Sequence, residues 1–331
     1  MSAGIDNQVY TGARPWHGRG TEIAKGVSCV DAVRSDRVLG SRIVASPAMI
    51  GAPSGQFIDW PGHFAHVREV DDAIVGLGSG RYSIMQHVEL ARFADKIAGD
   101  LGLTFDIAGL LRGGSQFVLQ AKIAEPVAIG RLPDGREDTV TGYLTLGTSH
   151  DGERPTEIGF ATMRAECANM TAMAMAQTRS GKRGTRFWSL GHVGDQQRKL
   201  GLAAEALQAG IAGMSRFVDF ARAAAETAMS VEQFDAFALD LLPDAENGAN
   251  TRRANRRDQW ASLFANGIGN DGSTAWHAYN AITEWGNYRQ PARGQGSDTL
   301  QRIESSLYGE AASLAIEAES KLQQFVYRLD D

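Results

Sequence analysis

The sequence predicts an α+β fold, with an antiparallel β-sheet and an embedded helix in the N-terminal half and a helical C-terminal half. Up to about residue 168, short apolar or alternating runs bounded by Gly, Pro and Asp are typical of β-strands. From residue 169 onward, an alanine-rich pattern with helical spacing replaces them. The two kinds of segment are not interleaved, which argues against an alternating β/α fold. We therefore expect a β-rich domain over 1–168 and a mainly helical domain, or an extension packed on the first, over 169–331.

In the first half, the runs SRIVASPAMIGA, HFAHVRE and AIVGLGS predict three strands. A helix is expected over about 88–98, where apolar residues recur near helical spacing and Gly99 or Gly102 would end it. Strand patterns return in TFDIAGLLRGG, QFVLQAKIAEPVAIG, TVTGYLTLGTS and EIGFATMRA. The dipeptide Asp134-Gly135 indicates a hairpin turn.

In the second half, Ser230 and Gln233 form a capping box that predicts a helix start, and Pro243 would stop that helix. The polar stretch PDAENGANTRRANRRD is expected to be a connector. Helical patterns cover 273–285 and 299–329. A long helix is predicted before them from apolar residues that share one face: Leu200, Leu207, Ile211, Met214 and Val218.

Composition restricts the class of protein. The chain has 331 residues, 43% of them hydrophobic and 22% charged, which is typical of a soluble globular protein. The N-terminal residues lack the order of a signal peptide, and no apolar run approaches a membrane span. Cys29 and Cys167 are too few for a disulfide framework or a metal cluster, so a cytoplasmic protein is expected. The net charge of −6 argues against indiscriminate binding to polyanions.

Positive charge is nevertheless concentrated in residues 176–200, AQTRSGKRGTRFWSLGHVGDQQRKL, where Asp195 is the one acid among the cations. Cations can follow a phosphate backbone while Trp188 stacks on unpaired bases, so this segment predicts binding of single-stranded nucleic acid. Tyr82 is a further candidate for stacking, and Arg112, in the turn LRGGS, for a backbone contact. The alternative, that the cations are a solvated loop and helix caps, stays open. The cations are Arg179, Lys182, Arg183, Arg186, Arg198 and Lys199.

A second basic cluster consists of Arg252, Arg253, Arg256 and Arg257. If helical, it would form a positive stripe on one face. Intramolecular pairing with acidic residues of the helical half is the interpretation we favour slightly.

The sequence predicts no catalytic residue, metal or cofactor. The stretch SHDGE places Ser, His and Asp side by side, but a turn explains it, because catalytic triads converge from separate segments. GLGSG lacks the ending of a phosphate loop. An enzyme is not excluded: a metal-dependent nucleic-acid-processing activity using His150, Asp151 or Glu153 remains an alternative.

Several segments together resemble the phage- and plasmid-encoded family of unknown function called "phage/plasmid-like protein". The resemblance covers almost the whole chain and implies a bacterial host cell. One departure is RFWSLGH, where the family commonly carries an RHT-like segment. The matching segments are PWHGRGTEI (15–23), GRYSIMQHVEL (80–90), AGLLRGGSQFVLQAKI (108–123), GYLTLGTSHDG (142–152), MRAECANMTAMAMA (163–176), STAWHAYNAITEW (273–285) and RIESSLYGEAA (302–312).

The predicted order of a helix (about 88–98), antiparallel strands (about 104–162) and a second helix (about 165–178) is similar to the core of ring-forming single-strand annealing proteins. That likeness implies a basic groove that holds single-stranded DNA, built from the same segment of each subunit in a homo-oligomer such as a ring. The expected function is therefore single-stranded DNA binding or annealing in recombination. The alternative from another class is an accessory protein that binds host proteins, for example to counter host defence.

Overall fold

The computed structural model describes residues 5–12, 20–123, 126–164, 169–171, 187–244, 250–291, 305 and 309–328. The α+β fold class is confirmed: the first half is mostly strands, and the second half is mostly helices. The strands are β1 (Ile5–Tyr10), β2 (Thr21–Glu22), β3 (Ile43–Gly51), β4 (Phe57–Arg68), β5 (Ala73–Ser79), β6 (Thr104–Leu111), β7 (Gln116–Lys122), β8 (Val127–Arg131), β9 (Glu137–Ser149), β10 (Thr156–Arg164), β11 (Asn169–Thr171) and β12 (Phe187–Leu190).

Seven helices complete the described parts of the chain. A π-helical turn, Trp285–Arg289, extends the sixth of them. The helices are α1 (Cys29–Ser35), α2 (His87–Leu101), α3 (Gln196–Glu226), α4 (Val231–Leu241), α5 (Asn250–Asn266), α6 (Ala275–Glu284) and α7 (Glu310–Arg328).

The strands form two sheets. The larger has the order β11-β10-β9-β7-β6-β1-β2, with β12 also paired to β10 and β8 to β9. All of its pairings are antiparallel except that of β1 with β2. The smaller sheet has the order β3-β4-β5 and is antiparallel throughout.

The alternation of side chains along β7 places a hydrophobic core on one face of the large sheet. Phe117 and Leu119 point into this core with residues of α1 and α2. Gln116 and Gln120 lie on the other face, where Gln120 Nε2 donates a hydrogen bond of 3.0 Å to Thr145 Oγ1. One face of the sheet is thus apolar, and the other carries buried polar side chains.

Helix α2 confirms the prediction over 88–98, and Gly102, in the left-handed conformation with φ 66°, ends it. Helix α1 is an additional short helix that the sequence analysis did not predict. Its first backbone N–H groups, of Cys29 and Val30, donate to the carboxylate of Asp95 in α2 at 2.7 and 3.0 Å. A distant acid thus satisfies two orphan donors of α1, and the side chain of the N-cap Ser28 accepts from a third, the Asp31 N–H.

The helix predicted over 165–178 is wrong at 169–171. These residues form β11, and Thr171 lies opposite Thr162 of β10. Pairing with the exposed edge of β10 has overridden local helical propensity here. The rest of that predicted helix lies outside the described residues. The long helix predicted from Leu200 onward is confirmed as α3.

The connector predicted over PDAENGANTRRANRRD is non-helical at residues 243 and 244 but is wrong from residue 250, where α5 begins. Arginine is a good helix former, and tertiary contacts hold this polar helix in place. Arg256 pairs with Glu310 at 2.8 Å and lies over the Trp285 ring. Arg257 pairs with Asp244 at 2.8 Å. Intramolecular pairing, the interpretation favoured for this cluster, is confirmed for these two residues.

A second core joins the helices to the sheet, because Ile129 of β8 and Val140 of β9 pack among residues of α3 to α7. A buried ion pair reinforces this junction: Arg164 of β10 lies 2.7 Å from Asp138 of β9. Arg164 also donates to the carbonyl of Gly269, and Asp138 accepts from the indole N–H of Trp276.

None of the helices in the described parts of the chain is long and apolar enough to cross a membrane.

Candidate nucleic-acid interface

The chain pairs with one edge of strand β10 twice, once just before the basic segment 176–200 and once within it. Strand β9 occupies one edge of β10 over Glu157–Arg164, so β11 and β12 both lie on its other edge. Thr171 is opposite Thr162, and Phe187 is opposite Gly159. At about 3.3 Å per strand residue, these anchor points are separated by roughly 10 Å along β10. Arg179, Lys182, Arg183 and Arg186 come between the anchors in the chain and lie outside the described residues.

Two further cations of the segment follow its second anchor, in the first turn of α3. Arg198 is exposed, and its backbone N–H donates to the Asp195 carboxylate that caps the helix. Lys199 folds back over the loop that joins β12 to α3: its Nζ donates to the carbonyl of Gly191 at 2.6 Å and of Val193 at 2.5 Å. The ammonium of Lys199 therefore holds this loop closed and keeps one N–H for another acceptor.

The β12–α3 loop is docked on the segment that follows β5. The Ser83 N–H donates to the His192 carbonyl at 2.8 Å, and Tyr82 and Val193 form an isolated antiparallel bridge. Both ring nitrogens of His192 also face carbonyl oxygens, Nδ1 that of Ser83 at 3.2 Å and Nε2 that of Arg154 at 3.1 Å. The loop is thus held to two other parts of the chain.

The predicted stacking residues have different surroundings. Trp188 lies in β12, where its backbone is paired with Ile158 of β10. The Tyr82 ring stacks on His192 at 4.5 Å and contacts His66 at the same distance, and its hydroxyl donates to the Ser149 carbonyl. Burial raises the pKa of the Tyr82 hydroxyl. Tyr82 is therefore built into the support of the β12–α3 loop, and stacking on a base stays a prediction for both residues.

Arg112 reaches the same region from the turn between β6 and β7. It has a positive φ of 52°, and its guanidinium pairs with Glu153 at 2.7 Å. Glu153 belongs to the β9–β10 turn, whose Arg154 carbonyl faces His192. The structure thus brings Arg112, Tyr82 and the β12–α3 loop to one turn. A DNA contact by Arg112 stays a prediction.

Residues 75–307, well over half of the chain, match the family described as "Domain of unknown function (DUF932)". The chain belongs to the DUF932 family. The matched range includes every residue predicted to contact nucleic acid. The chain matches no curated protein and no solved structure.

This DUF932 chain contains a buried histidine pair that sequence reasoning missed. His87 Nδ1 lies 2.9 Å from the Leu39 carbonyl and must therefore carry the proton. His87 Nε2 then accepts from His150 Nε2 at 2.9 Å. His150 Nδ1 is buried and has no hydrogen-bond partner among the described residues. Burial lowers the pKa of His87 to about 4 and holds the pKa of His150 well below its ordinary value.

His150, Asp151 and Glu153, the residues of the metal-dependent enzyme alternative, bond to different side chains. His150 pairs with His87, and Glu153 pairs with Arg112. Asp151 accepts from the Ser115 hydroxyl at 2.8 Å and from the Glu153 N–H at 3.0 Å. Across the described ranges, no group of three or more His, Cys, Asp or Glu side chains could hold a metal ion.

The glycines of GLGSG have a packing role in this DUF932 chain. Gly76 and Gly78 lie in β5, which packs against His150 and His66. A Cβ at Gly76 would lie 1.8 Å from the His150 carbonyl oxygen, and one at Gly78 would lie 2.7 Å from the His66 ring. Glycine is required at Gly76 because the backbone there has no room for a side chain.

The lowered pKa of His87 predicts a pH-dependent stability. The unfolded chain takes up this proton near pH 6.5, whereas the folded chain takes it up only near pH 4. His87 therefore contributes stability that is fully present above pH 6.5 and is lost as the pH falls toward 4. Between pH 7.5 and 5.5, the loss from this one group is on the order of 1 kcal/mol.

Urea unfolding at a series of pH values measures this effect. The stability of the variant His87→Gln should decrease by on the order of 1 kcal/mol less than that of the wild type between pH 7.5 and 5.5, whatever its stability at neutral pH. His63→Gln, at a histidine that stacks on Trp60 near the surface, is the matched control and should retain the wild-type decrease. Parallel curves for wild type and His87→Gln would contradict the assignment.

Proposed function

We propose that the chain is a single-stranded DNA-binding or strand-annealing protein that serves a phage or plasmid in the cytoplasm of its bacterial host and acts as a homo-oligomer, for example a ring. The common anchoring of β11 and β12 on one edge of β10 is the observation that carries this proposal. A segment of fifteen residues tied at both ends to one place cannot carry its members farther than roughly 30 Å from that edge. The proposal is that the four cations between these anchors contact the DNA backbone.

The cations that follow the second anchor extend this basic region. Arg198 is exposed, and Lys199 lies beside the β12–α3 loop, within the first turn of α3. Phosphates would contact these cations, and Trp188 would stack on a base exposed by the single strand. A local patch of this kind lets an acidic chain bind a polyanion. The repulsion from carboxylates farther than about 10 Å away is largely screened by dissolved ions.

Binding of a labelled single-stranded oligonucleotide, followed by fluorescence anisotropy across a salt series, tests the proposal. We expect affinity to fall steeply with salt, because each phosphate contact releases a condensed counterion. The double variant Lys182→Glu/Arg183→Glu should bind at least about 100-fold more weakly than wild type at low salt, with a shallower salt slope.

The matched control is Arg216→Glu/Arg252→Glu. It makes the same change in net charge at two exposed positions, on α3 and α5, away from the β12–α3 loop. This control should keep most of the wild-type affinity. Equal losses in the two double variants would show that only net charge matters, and salt-insensitive or absent binding would contradict the proposal. Strand annealing of two complementary oligonucleotides is the assay that then separates annealing from simple binding.

Exposed apolar residues on the helical half favour a second candidate, an accessory protein that binds host proteins. Val231 and Leu239 on α4 are 57% and 47% exposed, and Ile268 and Tyr327 are also exposed. A stoichiometric host protein retained by the wild type but lost in Leu239→Arg, with no DNA on the same column, would favour this candidate. Retention of DNA without a host protein would favour the first proposal.

A further inference from the structure

The three-stranded sheet is almost free of charge. Residues 43–67 and 73–79, which form β3, most of β4, the turn between them and β5, contain one formally charged side chain, Asp59. In the whole chain, 22% of the residues are charged. Exposed strands usually carry charged side chains that prevent their association with other chains, and this sheet has almost none.

The same sheet exposes large hydrophobic side chains. It carries seven of the twelve that are exposed among the described residues. Phe57 and Ile74 are the most exposed of them, at 73% and 71%. The seven are Met49, Ile50, Phe57, Ile58, Trp60, Ile74 and Leu77.

Strand register places many of these side chains on one continuous surface. His66 of β4 is buried against the large sheet, where its Nδ1 lies beside the His150 carbonyl. Its neighbours Ala65 and Val67 therefore point to the opposite face of β4. On that outer face, Val67 is paired with Ile74, and Ala65 with Leu77.

The surface continues along the β3–β4 hairpin. Val44 and Ser46 of β3 are paired with Val67 and Ala65, so they lie on the outer face, and the alternation of β3 places Ile50 there too. Ile58 is paired with Ile50 and shares that face. Met49 and Phe57 are their neighbours in the chain and point to the other face. Trp60 stacks on His63 at 3.9 Å, between this end of the hairpin and the outer face around Leu77. We call the exposed side chains of the outer face, Ile50, Ile58, Trp60, Ile74 and Leu77, the apolar surface.

The apolar surface is large enough for one side of a specific protein interface. Its five side chains expose the equivalent of about two and a half whole large residues. At roughly 200 Å² for each large side chain, this amounts to about 500 Å². Two such surfaces together bury about 1,000 Å², the size that a specific interface should reach, and exposed apolar patches of several hundred Å² mark interaction sites.

We propose that a second copy of this chain covers the apolar surface, using the same surface in a two-fold dimer. A two-fold interface joins identical patches, so the surface must be complementary to itself. A patch without charged side chains satisfies this condition, because no like charges meet across the axis. Homodimer interfaces are also more apolar than those of transient complexes. This inference does not depend on DNA binding, and a dimer could form in a chain that binds no nucleic acid.

Sedimentation velocity of the full chain across a concentration series tests the dimer. We expect a wild-type dimer with a dissociation constant in the micromolar range or below. Ile58→Arg and Ile74→Arg each place two positive charges in the interface, one from each copy. Each variant should raise the dissociation constant at least about 100-fold and sediment as a monomer at concentrations where the wild type is a dimer.

Both substitutions are at highly exposed positions, so the variants should fold, which thermal unfolding will verify. They lie at opposite ends of the apolar surface, so a folding defect in one leaves the other as the test. Val231→Arg adds the same charge on α4, at a side chain that is 57% exposed, and should leave the dimer intact.

Three results would overturn the proposal. The first is a wild-type monomer throughout the concentration series. The second is an oligomer that both surface variants preserve. The third is a monomer that binds uncharged phosphatidylcholine vesicles and loses this binding in Ile74→Arg, which would assign the apolar surface to a lipid bilayer.

Discussion

We expect Gly76→Ala to lower the free energy of unfolding by about 4 kcal/mol, which is among the largest effects of a single methyl group. The added Cβ would lie 1.8 Å from the His150 carbonyl oxygen and 2.8 Å from the Asp151 nitrogen. Both obstacles are backbone atoms, so no rotamer change relieves the overlap. The His150 carbonyl is also the partner of His66, so displacing it breaks a buried hydrogen bond.

Gly51→Ala is the matched control, because Gly51 lies in β3 of the same small sheet and an added Cβ meets nothing within 4 Å. Its effect should stay within about 0.5 kcal/mol, as is usual at surface positions. Urea unfolding followed by circular dichroism measures both variants. A loss in Gly76→Ala no greater than that in Gly51→Ala would show that β5 does not pass so close to the β9–β10 turn.

Arg164→Met is expected to destabilise the protein by about 3–5 kcal/mol, because it leaves the Asp138 carboxylate buried without its cation. The indole N–H of Trp276, in the described part of the helical half, would still donate to that carboxylate. The carbonyls of Ile268 and Gly269 would also lose their donor. Arg164→Met should therefore weaken the packing of the helices on the sheet.

Two further variants isolate the buried charge. In Asp138→Asn/Arg164→Met no carboxylate is left unpaired, so the double variant should be at least about 1 kcal/mol more stable than Arg164→Met alone. Arg136→Met removes an arginine from a pair whose side chains are 61% and 52% exposed, and should cost no more than about 1 kcal/mol. Equal losses in Arg164→Met and Arg136→Met would rule out a special role for the buried pair.

The strands could be predicted from the sequence because their pattern is local. In β7, for example, a short apolar run of three residues, 117–119, is flanked by Gln116 and Gln120, and a short apolar run of this kind is consistent with a strand. Helix α4 could also be predicted from the sequence, since the Ser230–Gln233 capping box is present as predicted.

The errors arose where distant residues decide the local structure. Helix α1 has a local N-cap, since Ser28 Oγ accepts from the Asp31 N–H, but its first two N–H groups depend on Asp95, which lies far along the chain. Residues 169–171 became a strand because the edge of β10 was open to them. Helix α5 is polar at its start and depends on ion pairs such as Arg257–Asp244.

The candidate site could be predicted only in part, for the same reason. Its predicted cations are close in sequence, so their clustering is visible without a structure. His66, His87, His150 and His192 are scattered along the chain, and strand register and the docked β12–α3 loop bring them together. A weak signal existed in GLGSG, since closely spaced glycines in a strand indicate a close backbone approach.

Because β11 and β12 are both anchored on β10, the stability of the sheet and the sequence of the segment between the anchors can change independently. The cost of closing a loop grows only slowly with its length, by about 0.6 kcal/mol for each doubling. Residues inserted, deleted or exchanged between the two anchors would leave the pairing with β10 in place. The length and charge of this segment can therefore be adjusted to a ligand without redesigning the scaffold, as in proteins whose binding loops diversify on a constant framework.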